Sequence, residues 1–165
     1  MTTMKLTPRL LILILFLSMA LANLELRGNT FSNQCGHLTT ECSFYECVED
    51  ELTCGKRGYP LGFALKYCQR FENFAYRFSD AGKEWIQKTR ECLTETFAKF
   101  DQPNSCSFVK KASFKSHILC YVESGYCDLS RDDKRAVNRV VWPSLWRRSA
   151  ITTGLKIKSI CRQRK

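Results

Sequence analysis

The sequence of 165 residues has few of the groups that enzymes use. Its only histidines are His37 and His117, so few bases are present that could activate a serine or a water molecule. The serine-hydrolase turn G-x-S-x-G and the glycine-rich phosphate loops do not occur. We therefore expect no enzymatic activity, and interpret His117 as a packed or surface histidine and His37 as a loop residue.

Metal-binding patterns are also missing. The closest cysteines lie five positions apart, which does not match the paired C-x2-C spacing of structural zinc sites. The acidic residues at 46, 49, 50 and 51 lack the alternating oxygens and central glycine of an EF-hand. We interpret them as a solvated loop between Cys47 and Cys54, and we expect neither metal nor cofactor.

One long apolar run occurs, at residues 10–19, and it has the features of a secretion signal. It follows Lys5 and Arg9 and precedes the small residues Ala20-Leu21-Ala22. A run of about a dozen residues is shorter than the ~20 that a membrane-spanning helix needs. The sequence thus predicts a signal peptide at 1–22 and a single secreted domain at 23–165, without stable membrane insertion.

Ten cysteines follow the predicted signal peptide. In an oxidising compartment an even number indicates disulfides, here five, each contributing ~2–4 kcal/mol to stability. The spacing alone does not select the pairing. The cysteines are Cys35, Cys42, Cys47, Cys54, Cys68, Cys92, Cys106, Cys120, Cys127 and Cys161.

Helical periodicity is strongest over residues 63–100. Two patterns there repeat at steps of three and four residues, and Asp80 between them is placed to cap the second helix. We predict a paired helical hairpin with a cysteine on each inward face. The two patterns are Ala64, Cys68, Phe71, Ala75 and Phe78, and then Trp85, Thr89, Cys92, Thr96 and Phe100.

The remaining segments predict further helices around this hairpin. Residues 23–58 are loop-rich, with four cysteines and a short helix near 44–48. A third helix is expected from Asn104 or Ser105 to about Val122, and a fourth from Ser130 to just before Pro143. The predicted fold class is all-α: a small disulfide-stapled helical domain with a loop-rich amino-terminal cysteine cluster.

Positive charge is concentrated at the carboxy-terminal end. Residues 23–130 hold 13 basic against 14 acidic residues, whereas residues 131–165 hold 11 against two. In a secreted protein such a face suits an acidic receptor surface or sulfated glycosaminoglycan rather than nucleic acid, and a solvated face without a partner stays an alternative. The candidate residues are Arg131, Lys134, Arg135, Arg139, Arg147, Arg148, Lys156 and Lys158.

Trp142, Leu145 and Trp146 surround Pro143 in the same region. They form either an apolar patch for a non-covalent dimer or part of the domain core. Of these two interpretations we favour the core.

Characteristic residues flank the cysteines in several segments. They are Cys42-Ser-Phe-Tyr45-Glu-Cys47-Val-Glu49, Cys68-Gln-Arg-Phe71, Phe78-Ser-Asp-Ala-Gly82-Lys83-Glu-Trp85-Ile86, Cys92-Leu93, Cys106-Ser-Phe, Cys120-Tyr121 and Cys127. These segments and the cysteine order resemble the stanniocalcin family of secreted hormones, over residues 35–161. The resemblance implies an all-helical extracellular signal linked to calcium and phosphate handling and acting on a cell-surface receptor or another extracellular protein. A secreted basic effector or matrix-binding protein on the same scaffold is the alternative.

The resemblance also implies a disulfide pairing: Cys35 with Cys47, Cys42 with Cys68, Cys54 with Cys106, Cys92 with Cys120, and Cys127 with Cys161. Two features depart from the family. No Asn-x-Ser/Thr glycosylation site occurs, and the family's eleventh cysteine, which joins two chains, has no counterpart. We therefore expect no covalent homodimer.

Overall fold

The structure is a computed structural model that describes residues 34–100 and 105–164, together with Ile12. Apart from Ile12, the predicted signal peptide lies outside the described residues, as does Asn104, one of the two predicted caps. The described part of the chain contains helices and turns but no strand, which confirms the all-α fold class.

Six α-helices follow one another in the described residues. They are α1 (Phe44–Leu52), α2 (Lys66–Asn73), α3 (Asp80–Ala98), α4 (Cys106–Glu123), α5 (Arg131–Val141) and α6 (Arg148–Gln163). A π-helical segment, Pro60–Leu65, leads directly into α2. Short 3-10 turns lie at Gly36–Leu38, Ala75–Arg77, Tyr126–Asp128 and Trp142–Ser144.

Three serines begin the three helices α3, α4 and α5. The hydroxyls of Ser79, Ser105 and Ser130 accept hydrogen bonds from backbone amides of the first turn, at 3.0–3.2 Å. The caps at Ser105 and Ser130 were predicted, but the predicted cap Asp80 is wrong. Asp80 already belongs to α3, whereas Ser79 keeps the extended backbone that turns its hydroxyl toward the free amides.

The predicted hairpin is only partly present. Helix α2 ends at Asn73, five residues before the expected end, and the chain then turns so that Phe78 is buried in extended backbone. Helix α3 packs more closely against α4 than against α2. Side chains bridge α2 and α3 instead. The ring centroids of Phe71 and Trp85 lie 5.8 Å apart, and Arg90 forms an ion pair with Glu72.

Helices α3 and α4 lie antiparallel. Trp85 near the start of α3 meets Tyr121 near the end of α4, with ring centroids 5.0 Å apart. At the opposite end Phe100 meets Phe108, at 6.2 Å. The disulfide between Cys92 and Cys120 joins the two helices between these contacts.

The structure differs from the sequence-based expectation at both ends of the domain. The acidic residues around Glu49 belong to α1 rather than to a loop, because Phe44, Tyr45 and Val48 bury one side of that segment as a helix. Helix α6 was not predicted at all. Basic residues interrupt the apolar pattern of this helix, and Ile157 is its only buried residue. The pattern was therefore too weak to predict the helix.

The buried residues form two separate clusters. The first contains Phe44, Phe63, Phe97 and Phe114 and lies where α1, the π-helical segment and the adjoining ends of α3 and α4 meet. The second contains Trp85, Val137, Val140 and Ile157 and lies between the other end of the α3–α4 pair and helices α5 and α6. Helices α3 and α4 contribute to both clusters.

The structure joins the same five cysteine pairs that the resemblance implied, and no cysteine is free. Their Cα atoms lie 5.1–5.9 Å apart, within the range of an unforced disulfide. Three pairs fasten the amino-terminal part, one crosses α3 and α4, and the pair Cys127–Cys161 ties α6 to the turn after α4. The basic end is therefore a folded helix closed by a disulfide.

The tryptophans near Pro143 are exposed, so their expected place in the core is wrong. Trp142 is 64% exposed and Trp146 is 87% exposed. Pro143 lies in a 3-10 turn that ends α5 and carries both indoles outward, while Ser144 between them is buried.

Asp133, in the first turn of α5, connects the beginnings of two helices. Its carboxylate accepts hydrogen bonds from the amide and hydroxyl of Ser79, at 2.9 and 2.8 Å, and from the hydroxyl of Ser130, at 2.7 Å. Gly82 permits this approach, because a Cβ there would lie 2.5 Å from the carboxylate. Both helix dipoles favour a negative charge at this position.

We expect Asp133→Asn to lower the free energy of unfolding by about 1–3 kcal/mol at neutral pH. Burial raises the pKa of Asp133, but the hydrogen bonds from Ser130 and Ser79 outweigh it and lower the pKa below 3.8. The charge therefore stabilises the fold above the unfolded-state pKa, and this contribution is lost as pH falls through the lower folded-state value.

The measurement is denaturant titration of the wild-type protein and of Asp133→Asn, with disulfides intact, between pH 7 and pH 2. The difference should be largest near neutrality and shrink below about pH 3.8. Asp132→Asn is the matched control, because Asp132 is exposed and pairs only with Arg135. Equal losses in the two variants, at every pH, would contradict the assignment.

Candidate ligand cavity and basic surface

A cavity of about 430 Å³ lies between the two buried clusters. Its walls come from α2 to α6, with Tyr45 of α1 and the π-helical segment closing one side. Both clusters contribute: Phe63 and Phe114 belong to the first, and Trp85 and Val137 to the second. The wall is mostly apolar and aromatic, as in sites that bind small molecules between helices.

Tyrosine hydroxyls supply part of the cavity's polarity. Burial raises the pKa of Tyr45, Tyr59 and Tyr121, so all three are neutral hydroxyls near pH 7. Tyr45 and Tyr121 both add to the rise in the pKa of Tyr59, and Tyr45 also adds to the rise in the pKa of Tyr121. No hydrogen bond to the hydroxyls of Tyr45 and Tyr121 is made within the described residues, so both are available to a ligand.

Arg90 adds a positive charge to the same wall. One terminal nitrogen, Nη1, pairs with Glu72, while Nε is shielded from water and has no partner among the described residues. The charge lies close enough to Tyr45 to oppose part of the rise that burial causes in that tyrosine's pKa. The neighbouring hydroxyl of Thr89 is likewise buried and unpartnered. Buried polar atoms without a hydrogen-bond partner are rare and costly. This part of the wall therefore has hydrogen-bonding groups that a ligand could satisfy.

His117 lies in the cavity wall without a catalytic partner. Its Nδ1 contacts the Ser113 carbonyl at 2.6 Å, and its ring packs between Phe114 and Tyr121. Burial lowers the pKa of His117, so the ring is neutral at physiological pH. His37 is exposed in the first 3-10 turn. The described residues thus give neither histidine a carboxylate or nucleophile to work with.

The eight basic residues of the candidate face are not equivalent. Lys134 donates to the carbonyls of Cys127 and Leu129, at 2.7 Å each, and Arg135 pairs with Asp132. The other six are exposed and form no ion pair among the described residues. They are Arg131 and Arg139 on α5, Arg147 just before α6, and Arg148, Lys156 and Lys158 on α6.

In the described part of the chain, three potential metal ligands lie close together, at Cys42, Cys68 and Glu72. Both sulfurs are joined in the disulfide Cys42–Cys68, and a metal requires the thiolate. Glu72 is instead the partner of Arg90.

The cavity was not predicted from the sequence. Thr89 was predicted on the inward side of α3, where a buried hydroxyl is a weak sign of an internal polar site, and no role was predicted for Arg90. A cavity between helices depends on how far apart they pack, and periodicity carries no information on that distance.

The fold and its sites define the class: a disulfide-stapled, all-helical domain with an internal cavity and a basic surface. The sequence matches the model of the stanniocalcin family over residues 30–161, and the chain therefore belongs to the stanniocalcin family. This family consists of secreted, hormone-like proteins and is not a family of enzymes. Comparisons with curated proteins and with solved structures returned no match.

No helix in the described part of the chain is both long and apolar enough to cross a membrane.

We expect the buried tyrosines to make the fold sensitive to alkali. Burial raises the pKa of Tyr121 in the folded protein above the ordinary value of 10.0. The neutral hydroxyl therefore makes its full contribution to the free energy of unfolding below pH 10.0, and this contribution is lost as pH rises through the folded-state pKa. Tyr121→Phe removes the ionising hydroxyl and should lose less stability between pH 9 and pH 12. Thermal unfolding across this range is the measurement. Tyr76→Phe is the control, since Tyr76 is 71% exposed; equal protection by the two variants would contradict the assignment.

Proposed function

We propose that the protein is a secreted hormone or local signal, without enzymatic activity, which a cell-surface receptor or another extracellular protein recognises through its folded surface. The observation that carries this proposal is the match to the stanniocalcin family over residues 30–161, together with its five intrachain disulfides. The pairing of His117 with a backbone carbonyl supports a role other than catalysis.

The physiological process is proposed from the family alone: calcium or phosphate handling. The test applies purified oxidised protein to epithelial cells and measures radioactive calcium and phosphate uptake together with saturable binding of labelled protein. We expect binding and a change in uptake that both disappear after reduction and alkylation, because the disulfides hold the surface together. Saturable binding without any change in transport of either ion would contradict this process.

Binding to sulfated glycosaminoglycan is a second candidate, favoured by the charge of the carboxy-terminal end. Its two acids are already engaged, Asp132 with Arg135 and Asp133 with the helix caps. Apart from Arg135, the exposed arginines and lysines of α5 and α6 therefore have no acidic partner in the described residues. Sulfate groups are strong acceptors for such side chains, and the attraction weakens as salt screens it.

Heparin chromatography tests this second candidate. We expect the triple variant Arg139→Gln, Arg148→Gln, Lys156→Gln to elute at clearly lower salt than the wild-type protein. The matched control replaces Lys83 and Lys88 of α3 and Lys99 at its carboxy-terminal end by Gln, since these exposed lysines are already paired with neighbouring carboxylates. Equal shifts in the two triple variants would indicate dependence on net charge alone and would contradict a binding face on α5 and α6.

A further inference from the structure

The cavity between the two clusters has the properties of a small-molecule site. Its volume of about 430 Å³ falls within the range of ~300–1,000 Å³ that is usual for ligand pockets. Aromatic side chains from both clusters line it, among them Phe63, Phe114 and Trp85. A ligand that filled this space would bury apolar surface that the protein alone leaves unpacked.

One part of the wall is polar. The guanidinium of Arg90 retains donors that Glu72 does not use, and the neutral hydroxyls of Tyr45 and Tyr121 have no partner among the described residues. All of these are hydrogen-bond donors, so they suit an acceptor with negative charge. Since Glu72 already offsets part of the Arg90 charge, a single negative charge fits better than a doubly charged phosphate.

The cavity wall includes exposed residues of α6, which indicate where the cavity meets the solvent. Ile151 is 41% exposed and Leu155 is 60% exposed, and both line the cavity. Apolar side chains at an opening favour a ligand with a long apolar body. Lys158, also exposed, is the second basic residue of the wall.

We propose that this cavity binds a long-chain fatty acid, with its carboxylate at Arg90 and Tyr45 and its hydrocarbon chain along the aromatic walls toward Ile151 and Leu155. Arg90 supplies charge and direction, the aromatic rings of both clusters supply the apolar contact, and the site holds one molecule per chain. This inference does not depend on the proposed signalling function, because it uses the interior of the domain rather than its surface.

The fluorescence of Trp85, which lines the cavity, reports binding directly. The exposed Trp142 and Trp146 would add background, so the reference protein carries Trp142→Phe and Trp146→Phe. Oleate, kept below its micelle concentration, should change the Trp85 emission saturably at one molecule per chain. Oleyl alcohol, which has the same chain without the charge, should bind at least tenfold more weakly.

Variants of charged residues test the polar end. Arg90→Gln should weaken oleate binding about tenfold or more and leave oleyl alcohol binding nearly unchanged. Lys158→Gln, which removes the other positive charge of the wall, should change oleate binding less than threefold. Arg148→Gln, on the surface of α6 outside the cavity, should change the binding of neither oleate nor oleyl alcohol.

Filling the cavity provides an independent test. Gly154 lines the cavity within α6, and an added Cβ would meet no atom within 4 Å. Gly154→Leu favours helix formation and should weaken both oleate and oleyl alcohol severalfold. Lys156→Leu, two positions later and outside the wall, is the control and should weaken neither. Far-ultraviolet circular dichroism confirms that each variant is folded.

Three results would overturn the proposal. The first is non-saturable oleate binding to the reference protein. The second is an equal loss of oleate affinity in Arg90→Gln and Lys158→Gln, or a loss in Lys158→Gln alone, because the carboxylate would then lie at the opening. The third is full oleate affinity in folded Gly154→Leu, which would place the ligand on the surface.

Discussion

The antiparallel pair of α3 and α4, joined by the disulfide Cys92–Cys120, is the element on which the rest of the structure depends. Both helices run through the two buried clusters, so each cluster is built at one end of the same pair. Two further disulfides attach other segments to this frame. Cys54–Cys106 joins the segment after α1 to the beginning of α4, and Cys127–Cys161 joins α6 to the turn that follows α4. Each of these covalent links stabilises the fold by ~2–4 kcal/mol, mainly by restricting the unfolded chain.

Division of the core has a consequence for the interior. The two clusters share one frame and leave a cavity between them, and aromatic side chains from both clusters line this cavity. Side chains bridge α2 and α3 on this side, through Phe71 with Trp85 and Glu72 with Arg90. The cross-links hold the walls in place without requiring that the space between them be packed. The same frame presents the basic residues of α5 and α6 on rigid helices, where a partner would meet them in a defined arrangement.

Much of this fold was accessible from the sequence because its signals are local. Serine caps at Ser105 and Ser130, the helix break at Pro143 and the inward cysteines are signals that lie within a few residues of the structure they determine. Sequence reasoning failed where the outcome depends on distant partners. Helix α6 has one fully buried residue and is stabilised mainly by packing against α4 and by Cys161, which periodicity does not register. The outward tryptophans, the pairing of α3 with α4 and the cavity are likewise properties of tertiary packing. The surface that a receptor would recognise is not encoded in any local pattern.

Native-state hydrogen exchange of the oxidised protein, read by mass spectrometry, tests the central claim most directly. Amides exchange slowly where opening requires the largest loss of structure. If the α3–α4 pair is the frame, the slowest amides should lie in its central turns, around residues 89–97 and 109–122, with α1, α5 and α6 exchanging earlier. Slowest exchange in α1 and α2, or in α5 and α6, combined with early exchange of α3 and α4, would contradict the account.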